Sequence, residues 1–128
     1  MITLTPKYSW ESNKEYAYRM IKESIMTLEL EPGQAISEVE LADALQLSRT
    51  PIREVLAKLR EEHLVEVVPQ VGTYISKISL QMNQEASFMR YVLEKEVFKL
   101  ACESFPKSAF AELKKNFALQ QELLGQQG

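Results

Sequence analysis

The sequence predicts a mainly α-helical protein with a small β-hairpin and with two parts of different character. Apolar residues recur at three- and four-residue steps through most of the chain, the spacing of amphipathic helices. A stretch rich in β-branched residues, interrupted by a short turn, occupies residues 64–78. Helical spacing resumes from about residue 80. We therefore expect one domain over residues 1–78 and a short all-α segment over residues 79–128.

Composition places the chain among globular proteins. Hydrophobic residues make up 45% of the 128 residues and charged residues 26%. No apolar run approaches the ~18 residues of a membrane span, and the first residues lack the features of a secretion signal. We expect a cytoplasmic protein with no membrane partner. The single cysteine, Cys102, excludes an internal disulfide, and its helical context predicts a small core residue.

Two serines mark the starts of the first two helices. Ser12 is followed three residues later by Glu15, and Ser37 is followed by Glu40, a spacing that can satisfy two free amide donors at a helix start. The first helix then carries one apolar face, and Pro32-Gly33 follows its end. The apolar positions of the second helix are Leu41, Ala42 and Leu45.

A third helix follows after a very short break. Ser48 is its N-cap candidate, and Pro51 is tolerated as third helical residue because first-turn amides have no intrahelical partner. Helices this close in sequence cannot be collinear, so they pack at an angle as a helix-turn-helix. After His63, residues 64–68 and 73–78 predict two strands around a turn at residues 69–72. The predicted order, with its small β-hairpin wing, is that of a winged helix-turn-helix.

The third helix carries the residues that point to a function. At about 100° per residue, Arg49, Arg53 and Arg60 fall within about 40° of one another, with Thr50 beside them. The planar fork of arginine can donate two hydrogen bonds to a guanine edge in the major groove. A helix N-terminus favours phosphate, and a threonine hydroxyl can donate to phosphate oxygen. This pattern predicts a DNA-recognition helix.

Charge leaves a second interpretation open. The formal net charge is −3, and residues 1–78 carry nine basic and twelve acidic residues, so DNA binding must rest on a local basic cluster. The arginines of the third helix also alternate with Glu54, Glu61 and Glu62, as on a solvated helix face with its own ion pairs. The alternative is a winged helix that contacts other proteins and binds no DNA.

The segment from Ser37 to Glu54 resembles a known family. The string Ser-Arg-Thr-Pro-Ile-Arg-Glu at residues 48–54, with the leucines that follow it, is similar to the signature of GntR-type bacterial regulators. Residues 89–94, Met-Arg-Tyr-Val-Leu-Glu, resemble the first helix of the all-helical effector domain in the FadR-like (FCD) branch. The resemblance implies a sequence-specific transcriptional regulator and no enzyme. We expect a repressor that binds a palindromic operator as a homodimer.

The resemblance also assigns roles to single residues. It implies that four residues contact operator bases and phosphates: Ser48, Arg49, Thr50 and Arg53. It places Gly72 at the wing tip, near the minor groove, with Gln70 beside it; we add Lys58 as a phosphate contact. The chain departs from the family at Val39, where arginine is frequent, and at Gln70 and Val71, where a basic residue or histidine is frequent. These departures imply fewer phosphate contacts.

The C-terminal segment is expected to dimerise without forming a complete effector site. The family's effector domain has about six helices and often holds a metal through one Asp and three His, whereas this chain has one histidine, His63. We therefore expect a truncated effector domain, no metal, no cofactor and an incomplete site for a small-molecule effector. Apolar positions along residues 80–124 predict the homodimer contact: Ala86, Met89, Leu93, Val97, Leu100, Phe110, Leu113, Phe117 and Leu124.

Overall fold

The structure, a computed structural model, describes residues 2–126 and divides in sequence after Ile78. The first unit contains α1 (Asn13–Met26), β1 (Ala35–Ile36), α2 (Glu38–Leu45), α3 (Arg49–Glu61), β2 (Val65–Val68) and β3 (Gly72–Ile75). The second unit contains α4 (Leu80–Ser104) and α5 (Lys107–Gly125). The predicted fold class, an N-terminal winged helix-turn-helix followed by a short all-α segment, is confirmed.

The three helix starts of the first unit differ in whether and how their serine side chains cap them. At α1 the reciprocal pair is present: Ser12 Oγ accepts from the Glu15 amide at 3.2 Å, and Glu15 Oε2 accepts from the Ser12 amide at 2.8 Å. At α2 the prediction of the same pair is wrong, because Ser37 Oγ accepts from the amide of Val39 instead. Ser48 occupies the N-cap position of α3, but its side chain makes no capping hydrogen bond.

The turn between α2 and α3 is made by Gln46. Its φ of 54° is left-handed, and it lets the amide of Leu47 donate to the carbonyl of Ala42 at 3.0 Å. His63 ends α3 in the same way, with a φ of 61° and a hydrogen bond from the Leu64 amide to the Leu59 carbonyl. The single histidine therefore terminates the third helix, and its side chain is exposed.

The core of the first unit forms around α3. Ile52, Val55 and Leu59 on α3 are fully buried, and they face α1, α2 and the sheet. The remaining buried apolar residues come from the other elements and their connections: Tyr16, Ala17, Met20, Ile21, Ile25, Leu30, Leu41, Ala42, Leu45, Leu56, Val65 and Ile75. Because the apolar side of α3 is buried in this core, the opposite side of α3 faces solvent.

The sheet has one strand more than the sequence predicted. β2 and β3 form the predicted hairpin, in which Val65 pairs with Ile75. The missed strand β1 pairs antiparallel with β3 through Ala35 and Ile36, giving the order β1-β3-β2. A two-residue strand is too short to show alternation. The second hairpin strand also ends at Ile75, earlier than the predicted residue 78.

The second unit consists of two long helices without a core of their own. Ser79 caps α4 through its side chain, and Pro106 is the N-cap residue of α5. Neither helix has a buried residue within residues 79–126. The expectation that Cys102 packs in a core is wrong, since its side chain is exposed. None of the helices in the described part of the chain is both long and apolar enough to cross a membrane.

Candidate nucleic-acid interface

The outward side of α3 presents the predicted arginine arc. Arg49, Thr50, Arg53 and Arg60 are all exposed. The side chains of Arg49 and Arg53 are 55% and 59% exposed, enough for their guanidinium groups to reach another molecule. The structure thus brings together the helix-start residues singled out from the sequence.

One acidic residue of α2 holds both of these arginines. Glu38 Oε2 accepts from Arg53 Nε at 2.8 Å and from Arg49 Nη2 at 3.2 Å. The hydrogen bond from Arg53, followed by that from Arg49, lowers the pKa of the Glu38 carboxyl group. Glu38 is therefore an anion at neutral pH, and it links the first residue of α2 to the first turns of α3. Sequence reasoning missed Glu38, because only the helix-turn-helix brings it close.

Glu54 of α3 and Glu62, the C-cap residue of α3, face a different helix from the arginines. Glu54 pairs with Lys14 of α1 at 3.0 Å, and Glu62 pairs with Lys22 of α1 at 3.0 Å. Among residues 2–126, no ion pair joins two residues of α3. Glu54 and Glu62 therefore lie on the side of the third helix that faces α1, apart from the exposed arginine side.

Lys58 is not brought to the arginine arc. It follows Arg49 by nine residues, which places it about 180° away around the helix. Its Nζ lies 4.0 Å from the centre of the Tyr18 ring, a cation–π contact with α1. The Tyr18 hydroxyl in turn donates to Glu62 at 2.6 Å. This network holds the Lys58 ammonium group on the α1 side of α3.

The start of α3 offers uncompensated amide groups. Its first turn contains no acidic side chain, and the Ser48 hydroxyl, which is exposed, does not cap it. The first amides of a helix have no intrahelical acceptor, and the helix dipole adds positive potential there. The amides at this end of the helix, with the hydroxyl groups of Ser48 and Thr50, can donate hydrogen bonds to a phosphate oxygen.

The wing is short and carries no charge at its tip. The amide of Val71 donates to the carbonyl of Val68 at 3.1 Å, and Gln70 sits in this turn with a φ of 60°. Gly72, which is half-buried, comes next, and a Cβ added there would lie 3.6 Å from the Tyr74 ring. Gln70 and Val71 are exposed, so the tip can approach another molecule with polar and apolar contacts but without a salt bridge.

Other kinds of site are not seen in this part of the chain. Within residues 2–126, no group of three or more His, Cys, Asp or Glu residues is arranged to hold a metal ion. The titratable side chains with the clearest pKa changes belong to ion pairs and helix caps. The arginine arc is therefore the candidate interface.

The first unit is similar in sequence to bacterial regulators. Residues 13–75 match the family described as bacterial regulatory proteins, gntR family. The chain is 33% identical over 103 residues to the HTH-type transcriptional repressor RspR of Escherichia coli K12, covering 80% of this chain and 45% of RspR. It is 40% identical over 83 residues to an uncharacterised HTH-type transcriptional regulator of Streptomyces ambofaciens, covering 65% of this chain and 35% of that protein. The chain thus spans less than half the length of these relatives.

Solved structures agree with this fold. McbR/YncC of E. coli matches with a TM-score of 0.59 and 27% identity, over 82% of this chain and 50% of McbR. A GntR family transcriptional regulator from Listeria monocytogenes matches with a TM-score of 0.54 and 20% identity, over 86% of this chain and 98% of that one. The helix-turn-helix geometry, the arginine-bearing third helix and the match over residues 13–75 together show that the first unit of the chain belongs to the gntR family of bacterial regulatory proteins.

Proposed function

We propose that this GntR-family chain is a sequence-specific repressor that binds a palindromic operator in the cytoplasm as a homodimer. The observation that carries the proposal is the exposed pair Arg49 and Arg53, held side by side on α3 by the carboxylate of Glu38. Two guanidinium groups held on one face of a helix can each donate two hydrogen bonds to a guanine edge in a major groove. Each such bidentate contact discriminates against the wrong base by about 1–3 kcal/mol.

The other interface residues have supporting roles. Thr50 and Ser48, at the exposed start of α3, contact phosphate, because the helix amides there have no acceptor of their own. Gln70 and Gly72 bring the wing tip to the minor groove. Lys58 is left out of the interface, since its ammonium group lies over Tyr18 on the other side of α3. With few lysines near the arc, binding depends on base contacts more than on phosphate contacts.

The second unit is assigned to dimerisation. We infer that α4 and α5 are the first helices of an all-α effector and dimerisation domain of the FadR-like type, whose natural signal is a small-molecule effector. The support is that none of their apolar side chains is buried within the described chain, although both helices are rich in them. The repressor assignment draws on the name of RspR, the relative from E. coli.

The test is selection of binding sites from a random DNA pool, followed by affinity measurements. Arg49→Ala and Arg53→Ala should each weaken the selected site by about 1–3 kcal/mol, or roughly 5- to 150-fold, and relax base preference. Lys58→Ala is the matched control and should leave specific affinity within about two-fold.

Salt dependence supplies the second measurement. Specific affinity should fall linearly with the logarithm of salt concentration, with a slope of about −0.9 per phosphate contacted. Unchanged specific affinity in both arginine variants would contradict the assignment of α3 as the reading helix. A chain that selects no DNA even at low salt would favour the alternative, a winged helix that contacts proteins.

A further inference from the structure

The helix α4 has two apolar faces on opposite sides. At about 100° per residue, one set of residues falls within an arc of about 80°, here called the first face: Met82, Ala86, Met89, Leu93, Val97 and Leu100. A second set falls within a similar arc about 180° away, here called the second face: Leu80, Phe88, Tyr91, Phe98 and Cys102. A helix that is apolar on opposite sides needs a partner on each of them.

The second face of α4 lies beside α5 of the same chain. Phe98 and Cys102 line a groove of about 710 Å³ together with Phe110 and Leu113 of α5. Phe105, at the end of α4, meets Phe110 edge-on, with ring centres 6.4 Å apart. The apolar residues of α5 thus already lie beside this face, which marks it as the side where the chain builds its own domain.

The first face has no such neighbour among residues 2–126. Met89, Leu93 and Val97 remain 59%, 66% and 63% exposed. We propose that this face packs antiparallel against the first face of a second copy of the chain, with the two-fold axis near Val92. The inference rests on the homodimer of the proposed function and specifies its contact surface, orientation and register.

Charge complementarity supports a second copy in this orientation. At the same 100° per residue, Glu85 and Lys99 lie about 40° apart on one flank of α4, between the two faces, and each is seven residues from Val92. An antiparallel pair with its axis at Val92 sets Glu85 opposite the partner's Lys99, and symmetry repeats the contact. Neither residue has an ion-pair partner among residues 2–126. On the other edge, Arg90 is already neutralised by Glu94 at 2.6 Å, so two copies of Arg90 can approach the axis.

An antiparallel pair also separates the two starts of α4. With a rise of 1.5 Å per residue, an axis at Val92 separates the two copies of Leu80 by about 36 Å along the helices. The DNA-binding unit ends at Ile78, so one such unit is attached near each of these helix starts. A parallel pair would instead hold the helix starts within ~10 Å of each other.

Cross-linking tests the register directly. In the 128-residue chain with Cys102→Ala, Val92→Cys should form covalent dimers with a short bifunctional thiol reagent. Glu85→Cys and Lys99→Cys should each cross-link poorly alone but efficiently when the two variants are mixed. Failure of the Val92→Cys chain to cross-link, or equal yields for the mixed and single variants, would overturn the proposal.

A charge exchange tests the same contact without thiol chemistry. Glu85→Lys and Lys99→Glu should each weaken dimerisation by about 3- to 30-fold in sedimentation, because attraction becomes repulsion at two symmetric positions. The double variant should recover the original dimer. A monomeric parent chain at tens of micromolar, or a double variant weaker than either single one, would overturn this surface. If the parent chain still dimerises and binds its selected DNA, the proposed function stands and only the surface is wrong.

Discussion

The two units of the chain use similar apolar patterns with opposite results. In the first unit, fifteen apolar residues between Tyr16 and Ile75 are buried around α3. In the second unit, α4 and α5 carry apolar residues at comparable spacing, yet neither helix buries any of them within residues 79–126. Three helices and a sheet can enclose a core, whereas two helices cover each other only in part. Apolar spacing therefore indicates that a helix has a partner, but not where the partner comes from.

This difference assigns different sources of stability to the two units. The first unit folds on its own contacts, so its stability should not depend on concentration. In the proposed homodimer the second unit is stabilised by association, so its stability should rise with concentration. Variants that separate these two behaviours test the comparison.

The largest expected effect comes from the core of the first unit. Leu59→Ala removes a fully buried side chain and should lower the free energy of unfolding by about 2–5 kcal/mol. Leu124→Ala, at a residue 71% exposed on α5, is the control and should change it by less than about 0.5 kcal/mol. Urea unfolding followed by the fluorescence of Trp10, the one tryptophan of the chain, measures the first unit. If Leu59→Ala does not fold, Ile52→Val creates a smaller cavity and should lower the free energy of unfolding by about 0.5–1.5 kcal/mol. If Leu59→Ala and Leu124→Ala lower the free energy of unfolding equally, the contrast between a packed first unit and an exposed second unit would be contradicted.

Acid should destabilise the first unit through one buried carboxylate. Glu11 accepts from Arg19 Nε at 2.6 Å and from the Tyr8 amide at 2.9 Å, and the Arg19 contact chiefly lowers the pKa of Glu11 from 4.5 to about 2. A lowered pKa favours folding fully above pH 4.5, and that contribution is lost as pH falls from 4.5 toward 2. Glu11→Gln should lower the melting temperature at pH 7 and make it less sensitive to acid over this range.

The measurement for Glu11 is a set of thermal melts from pH 7 to pH 2. Trp10 stacks on Tyr8 with ring centres 5.3 Å apart, and Arg19 lies over the Tyr8 ring, so Trp10 fluorescence reports on this contact. Glu15→Gln, at an exposed helix cap four residues later, is the matched control, because its pKa is lowered by hydrogen bonds from Ser12 and not by an arginine. A wild-type melting curve that is flat between pH 4.5 and pH 2 would contradict the role given to Glu11.

A smaller effect is expected on the specificity of DNA binding. Glu38→Gln removes the anion that orients Arg49 and Arg53 and makes the net charge of the chain one unit more positive. Affinity for the selected site should fall by about 2- to 10-fold, because each freed arginine loses more conformational entropy on binding, while affinity for unrelated DNA should rise. Glu40→Gln changes the same charge on the same helix without touching the arginines, so it should raise both affinities alike. Identical specificity ratios for the two variants would show that Glu38 does not position the arginines.

The smallest expected effect concerns the wing turn. Gln70 holds a left-handed φ of 60°, which glycine adopts without a steric penalty, so Gln70→Gly should raise the free energy of unfolding by about 0.5–1 kcal/mol. Gln84→Gly, inside α4, should instead destabilise its helix by about 1 kcal/mol. Urea titrations of both variants provide the comparison. A loss of stability in Gln70→Gly would mean that the Gln70 side chain contributes more to the turn than its backbone costs.

The sequence by itself determined the features that depend on neighbouring residues. The apolar stripe of α3, the capping pair at α1, the hairpin and the arc of Arg49 and Arg53 all follow from periods of two or 3.6 residues and from local hydrogen bonding. These patterns, with the string at residues 48–54, were enough to predict the fold and to single out the arginine side of α3.

Only the tertiary structure decided the features that join distant residues. Glu38 meets Arg53 from fifteen positions away, Lys58 lies on Tyr18 of another helix, and β1 exists only because β3 passes beside it. Cys102 has a helical context like that of a core residue but remains exposed, because burial depends on how many elements surround a side chain and not on its own spacing. Such contacts leave no periodic trace in the sequence, since their partners are set by the path of the chain through the turns.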